Sequence, residues 1–280
     1  MPQQALVCLQ TKLPELRARR PLIHHLTNFV TMTDCANMVL ATGASPVMAH
    51  APEEVAAMAR MAGALVLNIG TLTLPWIDAM IMAGQAANAA GVPVILDPVG
   101  AGATQMRTEA ALRILNEVKV TIVRANAAEA AALAGQASVV KGVDAVSGDG
   151  VSAAKALARQ FGVVTAVTGV IDYVSDGEKT LEIANGDVWM SRLTGTGCMA
   201  SSVVASFCAV EKDGLTSATA AVAFYGAAGE IAAGHVPLAL GNECWTSPRG
   251  PLSFKTAFFD AIYRLDGQRA AELAKISAAG

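Results

Sequence analysis

The chain has 280 residues, of which 53% are hydrophobic and only 15% charged, with 20 Lys+Arg against 23 Asp+Glu for a formal net charge of −3. This excludes a disordered chain, because enough apolar side chains are present to offset the entropy of ordering, and it excludes the basic face that neutralises nucleic-acid phosphates. Five irregularly spaced cysteines (Cys8, Cys35, Cys198, Cys208, Cys244) and an N-terminus interrupted by Gln10, Lys12, Glu15 and Arg17 point away from a disulfide framework and a signal peptide, so a reducing, cytoplasmic setting is expected.

In chain order, apolar positions spaced by three and four predict helices over residues 53–61, 75–90, 105–117 and 151–160. Short apolar runs alternate with them at residues 65–69, 92–96, 120–123 and 163–167 and predict buried parallel strands. The alternation defines an α/β layered fold with a mostly parallel sheet. Beyond Thr168, residues 173–177, 180–186 and 188–190 predict short antiparallel strands, with Asp176-Gly177 and Asn185-Gly186 supplying turns. From Thr196 onward only helices are predicted, divided at Gly214 and around Ser247 to Pro251, and residues 1–280 read as one domain. The uncharged stretch 79–96 contains Gln85, Asn88, Gly91 and Pro93, and residues 215–229 are mostly small, so neither supplies the ~20 strongly apolar residues of a membrane span. Few charges and many alanines predict a sizeable interface between copies of the chain.

Open α/β sheets bind ligands at the carboxyl edge, and there the predicted strands run into Asn68-Ile69-Gly70-Thr71, Asp97-Pro98-Val99-Gly100, Arg124-Ala125-Asn126-Ala127-Ala128-Glu129 and Thr168-Gly169. Each set also suits simple strand termination or helix capping, but four together make a site the better reading. Thr194-Gly195-Thr196-Gly197-Cys198 precedes a helix of small residues predicted over 199–210. Glycines admit a ligand close to the backbone, and unpaired helix amides favour an anion. No Gly-Lys-Ser/Thr follows, so this is not a P-loop. Cys198, at the helix start, is a candidate nucleophile or base, since a helix N-terminus favours thiolate. Asp97 and Glu129 are carboxylates of the type that serves a hydrated magnesium ion; helix capping is the alternative role for Glu129. His24, His25, His50 and His235 show no zinc spacing.

Taken as a set, His24-His25-Leu26-Thr27-Asn28-Phe29-Val30, Ala36-Asn37, Gly43-Ala44-Ser45-Pro46-Val47-Met48, the four strand ends, Lys141-Gly142-Val143-Asp144, Asp172-Tyr173-Val174-Ser175-Asp176-Gly177 and Thr194-Gly195-Thr196-Gly197-Cys198 resemble the hydroxyethylthiazole kinase family. The resemblance runs from about Pro21 to Phe254. It implies a ribokinase-like fold and ATP-dependent phosphorylation of 4-methyl-5-(2-hydroxyethyl)thiazole in thiamine salvage, with Mg2+. It further implies a homotrimer with active sites between subunits, Asn28 and Met48 coming from one subunit and Gly195 and Cys198 from its neighbour.

By the same resemblance, Asn28 and Met48 line the thiazole pocket, Gly195 lies beside the hydroxyethyl arm, and Arg124 and Thr168 contact ATP. The amides of Thr196, Gly197 and Cys198 hold the transferring phosphoryl group, Asp97 and Glu129 organise magnesium, and Cys198 stands where related kinases place an Asp base. The chain departs from the family pattern at Val170, where Glu is usual, and at Leu252, where Gly is usual. Three other readings are a kinase for another small alcohol such as hydroxymethylpyrimidine, a hydrolase pairing Cys198 with His24 or His25, and a non-catalytic ligand-binding module.

Overall fold

The computed structural model describes residues 2–135, 150–236 and 248–279; Lys141 to Asp144, Cys244 and Ser247 lie outside the described residues. The first half of the chain runs α1 (Pro2–Arg19), β1 (Leu22–Leu26), α2 (Met32–Thr42), β2 (Ser45–Val47), α3 (Val55–Met61), β3 (Ala64–Asn68), α4 (Leu74–Ala89), β4 (Val94–Asp97), α5 (Gln105–Glu117), β5 (Ile122–Asn126) and α6 (Ala127–Leu133). It continues with α7 (Gly150–Phe161), β6 (Val164–Thr168), β7 (Asp172–Ser175), β8 (Thr180–Ile183), a 3-10 turn (Val188–Arg192), α8 (Thr196–Cys208), α9 (Gly214–Ala232), α10 (Pro251–Arg264), α11 (Gly267–Leu273) and β9 (Ile276–Ala278). The strands form one sheet in the order β2-β1-β3-β4-β5-β6-β7-β8-β9. Pairing is parallel from β2 through β6 and antiparallel from β6 to β9.

Successive strand residues point to opposite faces, so each buried strand feeds two cores. In β3, Ala64 and Val66 join one cluster with Cys35, Phe207, Phe224 and Phe258, while Leu65 and Leu67 join another with Met80, Ala111, Ile114 and Leu157. Helices α1, α2 and α8 to α10 therefore cover one face and α3 to α7 the other, a three-layer arrangement. Helix α9 is buried over nearly its whole length, which explains its small residues: a Cβ at Gly226 would lie 2.7 Å from the Asn185 backbone. Among the described residues, no helix is long and apolar enough to cross a membrane.

Two expectations fail. Residues 188–190 form a 3-10 turn instead of a strand, because Gly186 turns the chain at φ +136° and the Asp187 carboxylate caps it by accepting from Trp189 N at 2.8 Å. The region after Thr196 also contains a strand, β9, which pairs with β8 through Leu181 and Ala278. With three residues, two of them exposed, β9 has too little apolar periodicity to be read locally.

Candidate active site

The chain passes from β1 to β2 on one side and then to β3 on the other, so the carboxyl ends of β1 and β3 flank a topological switch point, where such sheets leave a crevice. Asn28 lies two residues beyond β1, Asn68 ends β3, Asp97 ends β4, Arg124 lies within β5 and Thr168 ends β6. Hydrogen bonds connect these strand ends. The Asn28 amide Nδ2 donates to Cys198 Sγ at 3.2 Å and to Asn68 Oδ1 at 3.0 Å, and Asn68 Nδ2 donates to Asp97 Oδ2 at 2.9 Å. Arg124 then donates through Nη2 to Asp97 Oδ1 at 2.5 Å, through Nη1 to Thr168 at 3.3 Å and through Nε to Ser201 at 3.0 Å. Asp97 and Arg124 are buried; burial opposes the guanidinium charge, but Asp97 and Glu129 more than restore it and keep its pKa above the ordinary value.

Helix α8 begins here because Gly195 adopts the left-handed φ of +85° that an L side chain disfavours, and a Cβ there would strike Thr31. No side chain caps the helix, so the amides of Thr196, Gly197 and Cys198 face outward with the positive end of the helix dipole. A Cβ at Gly197 would lie 2.9 Å from Arg124 Nη1, so glycine there allows the guanidinium to lie against these amides. Backbone amides and a buried cation thus converge on one point, where they can hold a transferring phosphoryl group. Tyr225 fixes the turn by donating to Thr196 O at 2.7 Å.

Burial raises the Cys198 thiol pKa, and Asp97 adds to the rise, while Arg124, Thr31 and Asn68 oppose it. Desolvation thus acts against the thiolate that a helix N-terminus favours. The Cys–His pairing fails, since His25 Nε2 meets Ser202 Oγ at 3.0 Å and His24 Nε2 meets Ala49 O at 2.6 Å. Nor are Asn28 and Cys198 divided between subunits; one chain brings them into hydrogen-bond contact and packs Gly195 against Thr31. Met48 follows β2 on the same sheet edge, without a hydrogen bond to this network among the described residues.

Both oxygens of Glu129 are engaged: Oε1 accepts from Gly100 N at 2.8 Å and Oε2 from Asn126 N at 2.9 Å, while Asn126 caps α6 in return. The capping role is therefore real. Burial raises the Glu129 pKa, Arg124 pulls it down and Asp97 adds to the rise. Among the described residues, no group of three or more His, Cys, Asp and Glu converges as a metal cage. Oδ2 of Asp97 is saturated by Asn68 and Ser201, so direct ligation there does not fit. Each Glu129 oxygen keeps a lone pair, which fits a magnesium ion held through its own waters.

The sequence puts Asn68 on the edge but carries no local sign of its pairing with Asn28, nor of the part that Ser201 and Thr31 take in the site. The nearest signal is the spacing of Ser201, three residues past Cys198 on the same side of α8. Val170 is almost fully exposed. Nearby, Asp172 accepts from Gly169 N at 2.8 Å, and burial pushes its pKa up to about 7.

This sheet edge, with a guanidinium beneath an uncapped helix terminus, defines a phosphotransferase of the small-molecule kinase class. Pyridoxal kinase from Staphylococcus aureus, in a structure with ADP, shares the fold at TM-score 0.57 and 14% identity over 75% of this chain and 87% of that one. A hydroxyethylthiazole kinase structure from Pyrococcus horikoshii OT3 superposes at TM-score 0.86, with 39% identity over 97% of this chain and 99% of that one. The hydroxyethylthiazole kinase family model matches residues 13–268. Hydroxyethylthiazole kinases from Chloroflexus aggregans and Methanocella arvoryzae are 52% and 49% identical, over 89% and 94% of this chain and 86% and 96% of their own lengths. The chain belongs to the hydroxyethylthiazole kinase family.

Proposed function

We propose that the chain transfers the γ-phosphoryl group of ATP to the hydroxyl of 4-methyl-5-(2-hydroxyethyl)thiazole, giving the phosphate ester in thiamine salvage. The observation that carries this reading is the continuous network from Cys198 and Asn28 through Asn68 and Asp97 to Arg124 and Thr168, set beneath the uncapped start of α8. The alcohol lies at the Asn28, Met48 and Gly195 end, ATP at the Arg124 and Thr168 end, and the phosphoryl group passes across the amides of Thr196, Gly197 and Cys198. Phosphoryl transfer needs positioning and charge neutralisation more than covalent chemistry, and these groups supply both. Cys198 places the hydroxyl and, when ionised, takes its proton; its raised pKa makes proton acceptance the smaller contribution. Asp97 and Glu129 would hold hydrated magnesium, which when bound neutralises charge on the phosphates.

The same reading takes the chain as one domain that forms a homotrimer in the cytoplasm, with subunit boundaries beside the active sites. Support comes from the exposed side chains of Phe29 and Val30, which follow Asn28 in the chain, and from the free thiols of Cys8, Cys35, Cys198 and Cys208. Light scattering is expected to report three chains per particle; a fully active monomer contradicts the assembly. For the activity, ADP release is measured with the thiazole alcohol, with and without magnesium, and with hydroxymethylpyrimidine as competitor. Turnover that needs both the thiazole and magnesium supports the reading, while preference for the pyrimidine overturns the substrate.

A further inference from the structure

Asn68 is buried and makes three hydrogen bonds: Oδ1 accepts from Asn28 Nδ2 at 3.0 Å and from Gly70 N at 2.9 Å, while Nδ2 donates to Asp97 Oδ2 at 2.9 Å. An ionised carboxylate only accepts and a backbone N–H only donates, so these neighbours fix which way the Asn68 amide faces. Asn68 in turn fixes the face that Asn28 presents. Asn28 must offer its NH2 group, and its own Oδ1 takes the Thr31 amide at 3.1 Å and the Thr31 hydroxyl at 3.0 Å. Its remaining N–H points at Cys198 Sγ. Both polar atoms of the Asn28 side chain are thus engaged within the chain, which makes it a strut whose flat face is what the side chain can offer a substrate. Gly70 creates the room, since a Cβ there would lie 2.9 Å from Asn28 Cβ.

The placement of this bridge gives it a second consequence. It joins the ends of β1 and β3, the two strands whose outgoing connections diverge at the switch point. The sheet ladder ends with Leu26 paired to Leu67, so beyond it the spacing of the crevice depends on side chains. We propose that Asn68 is a positioning residue for the kinase reaction, holding the alcohol end of the site, Asn28 and Cys198, at a set distance from the phosphoryl end, Asp97 and Arg124. This rests on the assignment of those residues to the two ends. Asn68 itself touches neither reactant, and its contribution is to the geometry of attack, where small misplacements are costly.

The test compares Asn68→Ser with Asn68→Ala. Serine can still accept from Gly70 N and so keeps the local turn, but it is too short to reach both Asn28 and Asp97. Both variants are expected to lose about tenfold or more in kcat, with KM for the thiazole and for ATP within about threefold of wild type. Serine should be no better than alanine, while melting curves show it folded. Wild-type kcat in Asn68→Ser would reduce Asn68 to a turn residue and overturn the proposal. Loss confined to the thiazole KM would also overturn it, by making Asn68 part of the pocket wall. The underlying assignment has its own control in the wild-type protein, where the thiazole alcohol should slow iodoacetamide alkylation of Cys198 as read by peptide mass spectrometry. Absence of protection rejects the assignment and the proposal together; protection with wild-type Asn68→Ser kinetics rejects the proposal alone.

Discussion

Replacing Glu129 with Gln separates the structural work of this carboxylate from any work on a metal. Its two oxygens accept from two different backbone amides, those of Gly100 and Asn126. Glutamine can accept at only one end, so its NH2 group must face a backbone N–H, and the start of α6 also loses a negative charge opposite its dipole. A buried donor left without an acceptor costs about 1–3 kcal/mol, and the lost charge adds about 0.3–1 kcal/mol. Taking about 2 kcal/mol and roughly 2.1 cal/mol/K per residue of unfolding entropy over 280 residues, Tm should fall by about 3 °C. The melt is run in EDTA, so that no divalent ion contributes. A variant with reduced turnover and an unchanged Tm in EDTA would refute the cap and make Glu129 a free ligand.

Asp97→Asn is expected to lower kcat by about 10²–10³ while changing thiazole binding little by calorimetry, because it strips the charge that orients Arg124. Loss of thiazole binding with normal turnover at saturation would contradict that role. Gly197→Ala should lower both Tm and activity, because its methyl crowds the Arg124 guanidinium and strains its buried pair with Asp97; unchanged Tm and activity would refute the contact. Cys198→Ala should retain measurable ADP release, since positioning supplies most of the acceleration, and complete loss would mark the thiol as indispensable. Burial holds His25 at about 4, below its usual 6.5, so the unfolded chain takes up a proton through this window before the folded one does. Stability should therefore fall as pH drops from 6.5 to 4, by up to about 3 kcal/mol from this residue, and His25→Gln should flatten the slope in denaturant titrations. An unchanged slope would show that His25 is not the source.

The fold was legible where both sides of an element carry the same message. Helix α5 matches its expected limits, 105–117, because Thr104 caps its start by accepting from Arg107 N and Ala110, Ala111 and Ile114 face the core. Strands β3 to β6 are covered on both faces and so appear as apolar runs. By contrast, β1 carries His24 and His25 in its centre, and their burial depends on Ala49 O and Ser202 from elsewhere in the chain. Helix α1 hides its buried face among Gln, Lys, Glu and Arg with Pro14 inside it. In the site, residue types at strand ends could be read directly, but the pairing of Asn28 with Asn68 could not. They stand 40 residues apart, and their contact exists only because β1 and β3 are neighbours in a register that local pattern does not encode.

The inward turn of Arg124 is compatible with the nucleotide contact proposed for it. A guanidinium carries five N–H donors, and Asp97, Thr168 and Ser201 take one each. The remaining N–H groups belong to Nη1 and Nη2, the atoms that lie closest to the Gly197 position. They are on the side of the guanidinium nearest the uncapped amides of α8, so a phosphate held there can be bonded without breaking the Asp97 pair. Keeping that pair matters, because separating a buried ion pair leaves one charge uncompensated and costs several kcal/mol. A lysine, with its point charge on a flexible stem, could not hold Asp97, Thr168 and Ser201 in one plane and still face the helix terminus. Arg124 thus orders the strand ends and still has N–H groups free for the phosphoryl contact proposed for it.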